Sequence, residues 1–190
     1  MMRKKIIYLA GFFLFTICIE GSCFGQEYFT KNGRISFFSK AIVENISSDN
    51  NQVISLLNTQ TGTLRFYLLI NAFHFPKAMM EQHFNSDYLE SDKYPSSTFK
   101  GTFTGINNVD IGKDGSYNVN VAGSLEIHGV SKNITTTGKI SIKDGKISAT
   151  SVFKIILKDY NIEIPSIVIN NISEQIEITV SCQYEKRTSN

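Results

Sequence analysis

Chemistry in this chain would have to start from few residues. The three histidines, His74, His83 and His128, are far apart and lack the spacing of a metal-binding set. No GxSxG elbow, phosphate-cradling glycine loop or HExxH helix is present. Cys182 falls on the apolar face of its segment and reads as a small buried hydrophobe, because a reactive thiolate needs an electropositive, partly exposed site. Most carboxylates lie in turns or opposite apolar residues, where charges are solvated. Met79 and Met80 read as core filler, although thioethers also suit an adaptable apolar pocket. That leaves His128, in the stretch AGSLEIHGVSKNITTTGK at residues 122–139. Gly129 and Val130 can form the central pair of a tight hairpin turn with glycine first. His128 then ends a strand on its polar face and hydrogen-bonds near the turn, a role that outweighs ligand contact.

The elements that would position these residues are strands. In YNVNVAGSLEIH, residues Val119, Val121, Gly123, Leu125 and Ile127 share one face, and Asn118, Asn120, Ser124, Glu126 and His128 share the other. This period of two is the signature of a half-buried strand. It recurs in TLRFYLLINAF, ATSVFKIILKD and EQIEITVSCQYE, and more weakly in RISFFSK, NQVISLLNT, TFKGTFTG and NITTTGKISIK. Eight or nine strands follow, joined by short polar turns such as NTQTG and KDGK that suit antiparallel hairpins. One helix is predicted in FPKAMMEQHFNSDYLES, with Pro76 at its start and Met79, Met80, His83 and Phe84 on one side. KDYNIEIPSIVINNIS reads as a loop.

Long strands with one apolar face each point to a closed antiparallel barrel, with a β-sandwich as the alternative. Gly101, Gly105, Gly123 and Gly138 fall on the inner face among large apolar residues. Inward glycine marks either a bend in a filled core or space left for something else. An eight-stranded barrel has the width at which side chains just fill it or one ligand fits inside.

Residues 1–25 read as a signal peptide: the basic MMRKK, an apolar run of 14 residues from Ile6 to Ile19, and a small residue, Gly25, before Gln26. Such a run spans about 21 Å as a helix against a hydrocarbon core of about 30 Å, which argues against a retained anchor. Neither Cys18 nor Cys23 has the flanking residues of a lipidation site. Arg3, Lys4 and Lys5 leave with Glu20, so the 19 basic and 17 acidic residues of the whole chain become 16 of each. A neutral chain offers no basic field for nucleic acid or anionic lipid. Cys182 is then the remaining thiol, so no internal disulfide is expected and the core must hold the fold. Residues 26–190 form one domain of ordinary size.

Three passages in order resemble a known family. MEQHFNSDYLESDKYPSSTFKG has a histidine-containing helix end leading to YP and then F at a strand start. GSLEIHGVSKNI resembles a G-x-L-x-x-H-G-V-x-K turn, and FKIILKDYNIEIP resembles a strand ending in an aspartate-aromatic-x-isoleucine step. Together they resemble the YceI-like, polyisoprenoid-binding family over roughly residues 79–165, with Asn161 standing where that family usually has glycine. The resemblance implies an all-β fold, a lipocalin-like antiparallel eight-stranded barrel with one short helix. It also implies a periplasmic or secreted bacterial address and a long isoprenoid or similar amphiphile in the interior.

The bore is then lined by Phe66, Leu68, Phe99, Phe103, Val121, Leu125, Phe153, Ile155 and Ile178. Polar groups at its mouth, for which His83, Tyr94, His128, Lys132 and Tyr160 are the candidates, would orient a head group. This reading is a lipid-binding protein for a polyisoprenoid or quinone-like amphiphile, with no catalytic residue, metal or cofactor beyond the bound lipid. An enzyme would need a titratable pair inside the bore, and the alternation places ionisable groups outside. The alternative is a structural or interaction module with a filled core. Outward Leu69 and Ile156 are candidate contacts for a protein partner or homodimer.

Overall fold

The computed structural model describes residues 27–105, 110–168 and 170–187. Residues 1–25, read from the sequence as a signal peptide, lie outside the described residues. Eight strands form one closed barrel in chain order: β1 (Glu27–Ser39), β2 (Ile46–Asn58), β3 (Thr63–Leu69), β4 (Ser96–Thr104), β5 (Gly115–Ile127), β6 (Val130–Lys143), β7 (Lys146–Ile156) and β8 (Gln175–Lys186). Every neighbour is antiparallel, and β1 pairs with β8 to close the ring. The barrel therefore leaves neither β1 nor β8 as a free sheet edge. Among the described residues no helix is long and apolar enough to cross a membrane.

Alternation sets the two faces of the wall. In β5, Val119, Val121 and Leu125 are buried and Asn118, Asn120 and Glu126 are exposed. On the outer wall, Leu69 and Ile156 are exposed. The two ends of the barrel differ. At one, short links join β2 to β3 and β6 to β7, and Tyr28, Leu57, Ile142, Ile147, Cys182 and Tyr184 pack into a closed floor. The Tyr184 and Ser55 hydroxyls share a hydrogen bond there at 2.8 Å, so the buried phenol keeps a partner. β1 shifts register on both sides of Gly33. A Cβ at Gly33 would come within 2.8 Å of Cys182 Sγ, so the bend there depends on the missing side chain.

The other end carries the connections 40–45, 70–95 and 157–174, the last two long. Helix α1 (Ala78–His83) lies in the second and continues into one wider turn at Phe84–Tyr88. Pro76 precedes it by two residues and Lys77 occupies the cap position. The connections are tied together: Ile42 N and Val43 N donate to Asn170 O, Ser173 N donates to Ser39 Oγ, and Lys77 pairs with Glu44.

Two of the inward glycines accommodate the protein itself. Gly101 and Gly123 are directly opposite one another in β4 and β5, and the Phe99 ring lies over both. Gly105 leaves β4 with φ +94°, a turn conformation. Gly138 sits in β6 with only van der Waals neighbours beyond Thr150 O.

Candidate ligand cavity

A cavity of about 410 Å³ runs up the barrel from the floor toward the long connections. This falls within the roughly 300–1,000 Å³ of ordinary ligand pockets. It exists because each strand turns alternate apolar residues inward, and of the inward glycines only Gly138 borders it. Phe66, Leu68, Phe99, Phe103, Val121, Leu125, Phe153, Ile155 and Ile178 all line it. The ionisable side chains other than tyrosine among the described lining residues are Glu44, His83 and Lys139. Glu44 is paired with Lys77, and His83 Nδ1 is 2.6 Å from Asp87 Oδ2. Hydrogen bonds from Ser86 and then from His83 hold the Asp87 carboxyl below its ordinary value. No metal-binding group of three His, Cys, Asp or Glu occurs among the described residues.

The upper bore is aromatic. Phe84 stacks on Phe37 at 5.6 Å and meets Phe73 and Phe75 at 5.4 and 5.0 Å. Phe37, Phe73, Phe75 and Phe84 were not among the residues expected from sequence. The signal was present, since Ile35, Phe37 and Ser39 alternate inward in β1 and Phe73 and Phe75 alternate in AFHFP. Met80, His83 and Phe84 face the cavity from the helical segment, and Met79 is turned away and exposed.

The five head-group candidates separate. Only His83 borders the cavity. Tyr94, His128 and Tyr160 instead form a buttress beside it. His128 Nε2 lies 2.7 Å from Glu90 Oε2, and its Nδ1 donates to Tyr160 O at 3.2 Å. Tyr94 packs edge-on against the imidazole at 4.4 Å. The His128 side chain is 9% exposed, and the Tyr160 side chain is fully buried, its phenol raised by loss of solvent. These contacts join the 70–95 connection, the β5–β6 turn and the segment after β7. Lys132 is exposed on β6, away from this group.

The turn also differs from expectation. His128 and Gly129 are its central residues, with φ +52° and +71°, and Ile127 pairs with Val130. Positive φ at both positions makes the primed turn whose twist matches the flanking strands. His128 is therefore inside the turn, and its two hydrogen bonds hold a left-handed backbone that histidine seldom adopts. Asn161 is likewise left-handed, at φ +55°. Asparagine tolerates that conformation, so the glycine-type turn is kept.

A closed antiparallel eight-stranded barrel around an apolar bore, with one short helix, defines the fold as lipocalin-like. The profile of the YceI-like domain matches residues 27–184, and the chain belongs to that family. No curated protein sequence matches it. Among solved structures, a polyisoprenoid binding domain from Saccharophagus degradans superposes with a TM-score of 0.71 at 16% identity, over 86% of this chain and 99% of that one. Burkholderia cenocepacia BcnA gives 0.66 at 15%, over 81% and 96%. A Campylobacter jejuni YCEI protein gives 0.61 at 21%, over 76% and 88%. At these identities the likeness is one of fold.

Proposed function

We propose that this protein is a non-catalytic carrier, exported from a bacterial cell, that holds a long-chain polyisoprenoid or quinone-like amphiphile in its barrel. The observation that carries the reading is the apolar bore of about 410 Å³. Each buried CH2 contributes about 0.8 kcal/mol, and association costs about 4–15 kcal/mol. Short chains therefore bind weakly, and affinity climbs with chain length until the bore is full. The binding named for the Saccharophagus degradans domain supports the same class of cargo. A filled interaction module accounts less well for so large an apolar space.

The test is uptake of geraniol, farnesol and geranylgeraniol by the purified protein. Affinity should rise along the series and fall in Phe103→Trp and Leu125→Trp, whose indoles would occupy the bore. A flat series, unaffected by either substitution, refutes the carrier.

A further inference from the structure

The barrel wall is not hydrogen-bonded over its full height. β6 and β7 pair from Lys143 and Lys146 only as far as Gly138 and Ser151. Beyond that point β6 runs on to Val130 beside β5, and β7 runs on to Ile156 beside β8. The two strands thus face one another unpaired. The Thr137 carbonyl, the first past the last pair, accepts the Ser151 hydroxyl at 2.7 Å where a strand partner would stand. That carbonyl points toward β7. Backbone groups alternate sides along an antiparallel strand, so those of Thr135, Asn133 and Ser131 point the same way. Among the described residues no backbone hydrogen bond from β7 or from the 157–174 connection meets them.

This window opens onto the cavity, because Ile134 and Thr136 on one side and Ser151 and Phe153 on the other all line it. The upper bore is instead ringed by phenylalanine, and a polar head group buried there would lose its water without gaining partners. At the window it meets open N–H groups. Charge then selects the kind of head group. Lys132 is on the same face of β6 as Ile134 and Thr136, while Lys139, which also borders the cavity, and Lys154 flank the gap. All three are exposed, and none is in an ion pair among the described residues. Glu177 stands opposite Lys154 in β8. Glu126, beside Lys132, belongs to the outer face, where it accepts from Ser131 Oγ at 3.4 Å.

We propose that the head group of the bound amphiphile sits in the β6–β7 window and is anionic, a carboxylate or phosphate ester, with Lys132 as its cation and the open β6 N–H groups as its donors. The inference rests on the carrier reading above and moves the head group from the mouth to the side of the barrel.

Calorimetric titration with farnesol, farnesoic acid and farnesyl phosphate tests it on the wild type, Lys132→Met and His83→Gln. The wild type should bind an anionic form about tenfold more tightly than the alcohol, the effect of one charge-assisted contact. The tighter of the two anions names the head group. Lys132→Met should abolish the preference and leave farnesol affinity within about twofold, and His83→Gln should keep the preference. Equal binding of alcohol and anions by the wild type overturns the proposal. So does a preference that survives Lys132→Met or disappears in His83→Gln. Failure of the wild type to bind any of these three probes or geranylgeraniol refutes the carrier reading itself, and the head-group site falls with it.

Discussion

Replacing Gly123 with alanine separates two meanings of glycine in this barrel. A Cβ at Gly123 would lie 2.5 Å from both Gly101 Cα and Lys100 O, and 2.7 Å from Phe99 Cζ. Two of these neighbours are backbone atoms of β4, so the strands would have to part or the ring leave its place. Overpacking of this kind costs about 1–3 kcal/mol, and backbone involvement puts Gly123→Ala at the upper end. In a chain of this size each kcal/mol moves the midpoint of thermal unfolding by about 2–4 °C, so the loss should be roughly 4–12 °C. Gly138→Ala is the internal control. Its Cβ would meet Thr150 O at 3.3 Å and Val119 Cγ2 at 3.5 Å. That contact is tight enough to offset the gain of about 0.5–1 kcal/mol expected for alanine over glycine in a strand, and the midpoint should move by about 2 °C or less. Scanning calorimetry of both variants decides. Equal melting of the two would mean that Phe99 does not need the glycine pair, and that the inward glycines are open space.

His128→Ala should lower stability by about 1–3 kcal/mol, because it strips partners from Glu90 and the Tyr160 carbonyl. His128→Asn, which keeps the left-handed turn, should lose less, and limited proteolysis between Phe84 and Pro95 should follow the same order. Burial pushes the Cys182 thiol up to about 11 and raises the Tyr184 phenol. An unfolded thiol ionises near 8.5, so above that pH the unfolded chain releases a proton that the native one keeps. Stability must therefore fall as pH rises from about 8.5 to 11, and Cys182→Ala should flatten that slope in urea titrations. Phe84→Ala removes the ring that touches Phe37, Phe73 and Phe75, and should speed release of a bound probe in stopped-flow dilution. Lys77→Ala breaks an exposed ion pair with Glu44 and should change stability by less than about 1 kcal/mol.

The wall of this barrel was legible in the sequence because burial repeats every second residue, and Phe66, Leu125 and Ile178 could be placed inward from that period alone. Closure of β1 on β8 has no local signature. Neither does the window, since NITTTGK alternates evenly through Gly138, where pairing with β7 stops. Inward glycine was ambiguous because the period places Gly123 without saying that Phe99 lies over it. The mouth was least legible. Tyr94, His128 and Tyr160 are polar-tipped residues near strand ends, which fits a head-group site as well as a buttress. Only the distances to Glu90 and to the Tyr160 carbonyl separate the two. Phe84 belongs to the upper bore because a short helix folds over it, a contact between segments that strand periodicity does not encode.

Native mass spectrometry of the protein purified from its own cells, followed by extraction of whatever is bound, tests the carrier most directly. One long-chain amphiphile per chain, absent from Leu125→Trp, is the result the account predicts. Protein that is always empty, and that stays empty after incubation with prenyl lipids, would contradict it.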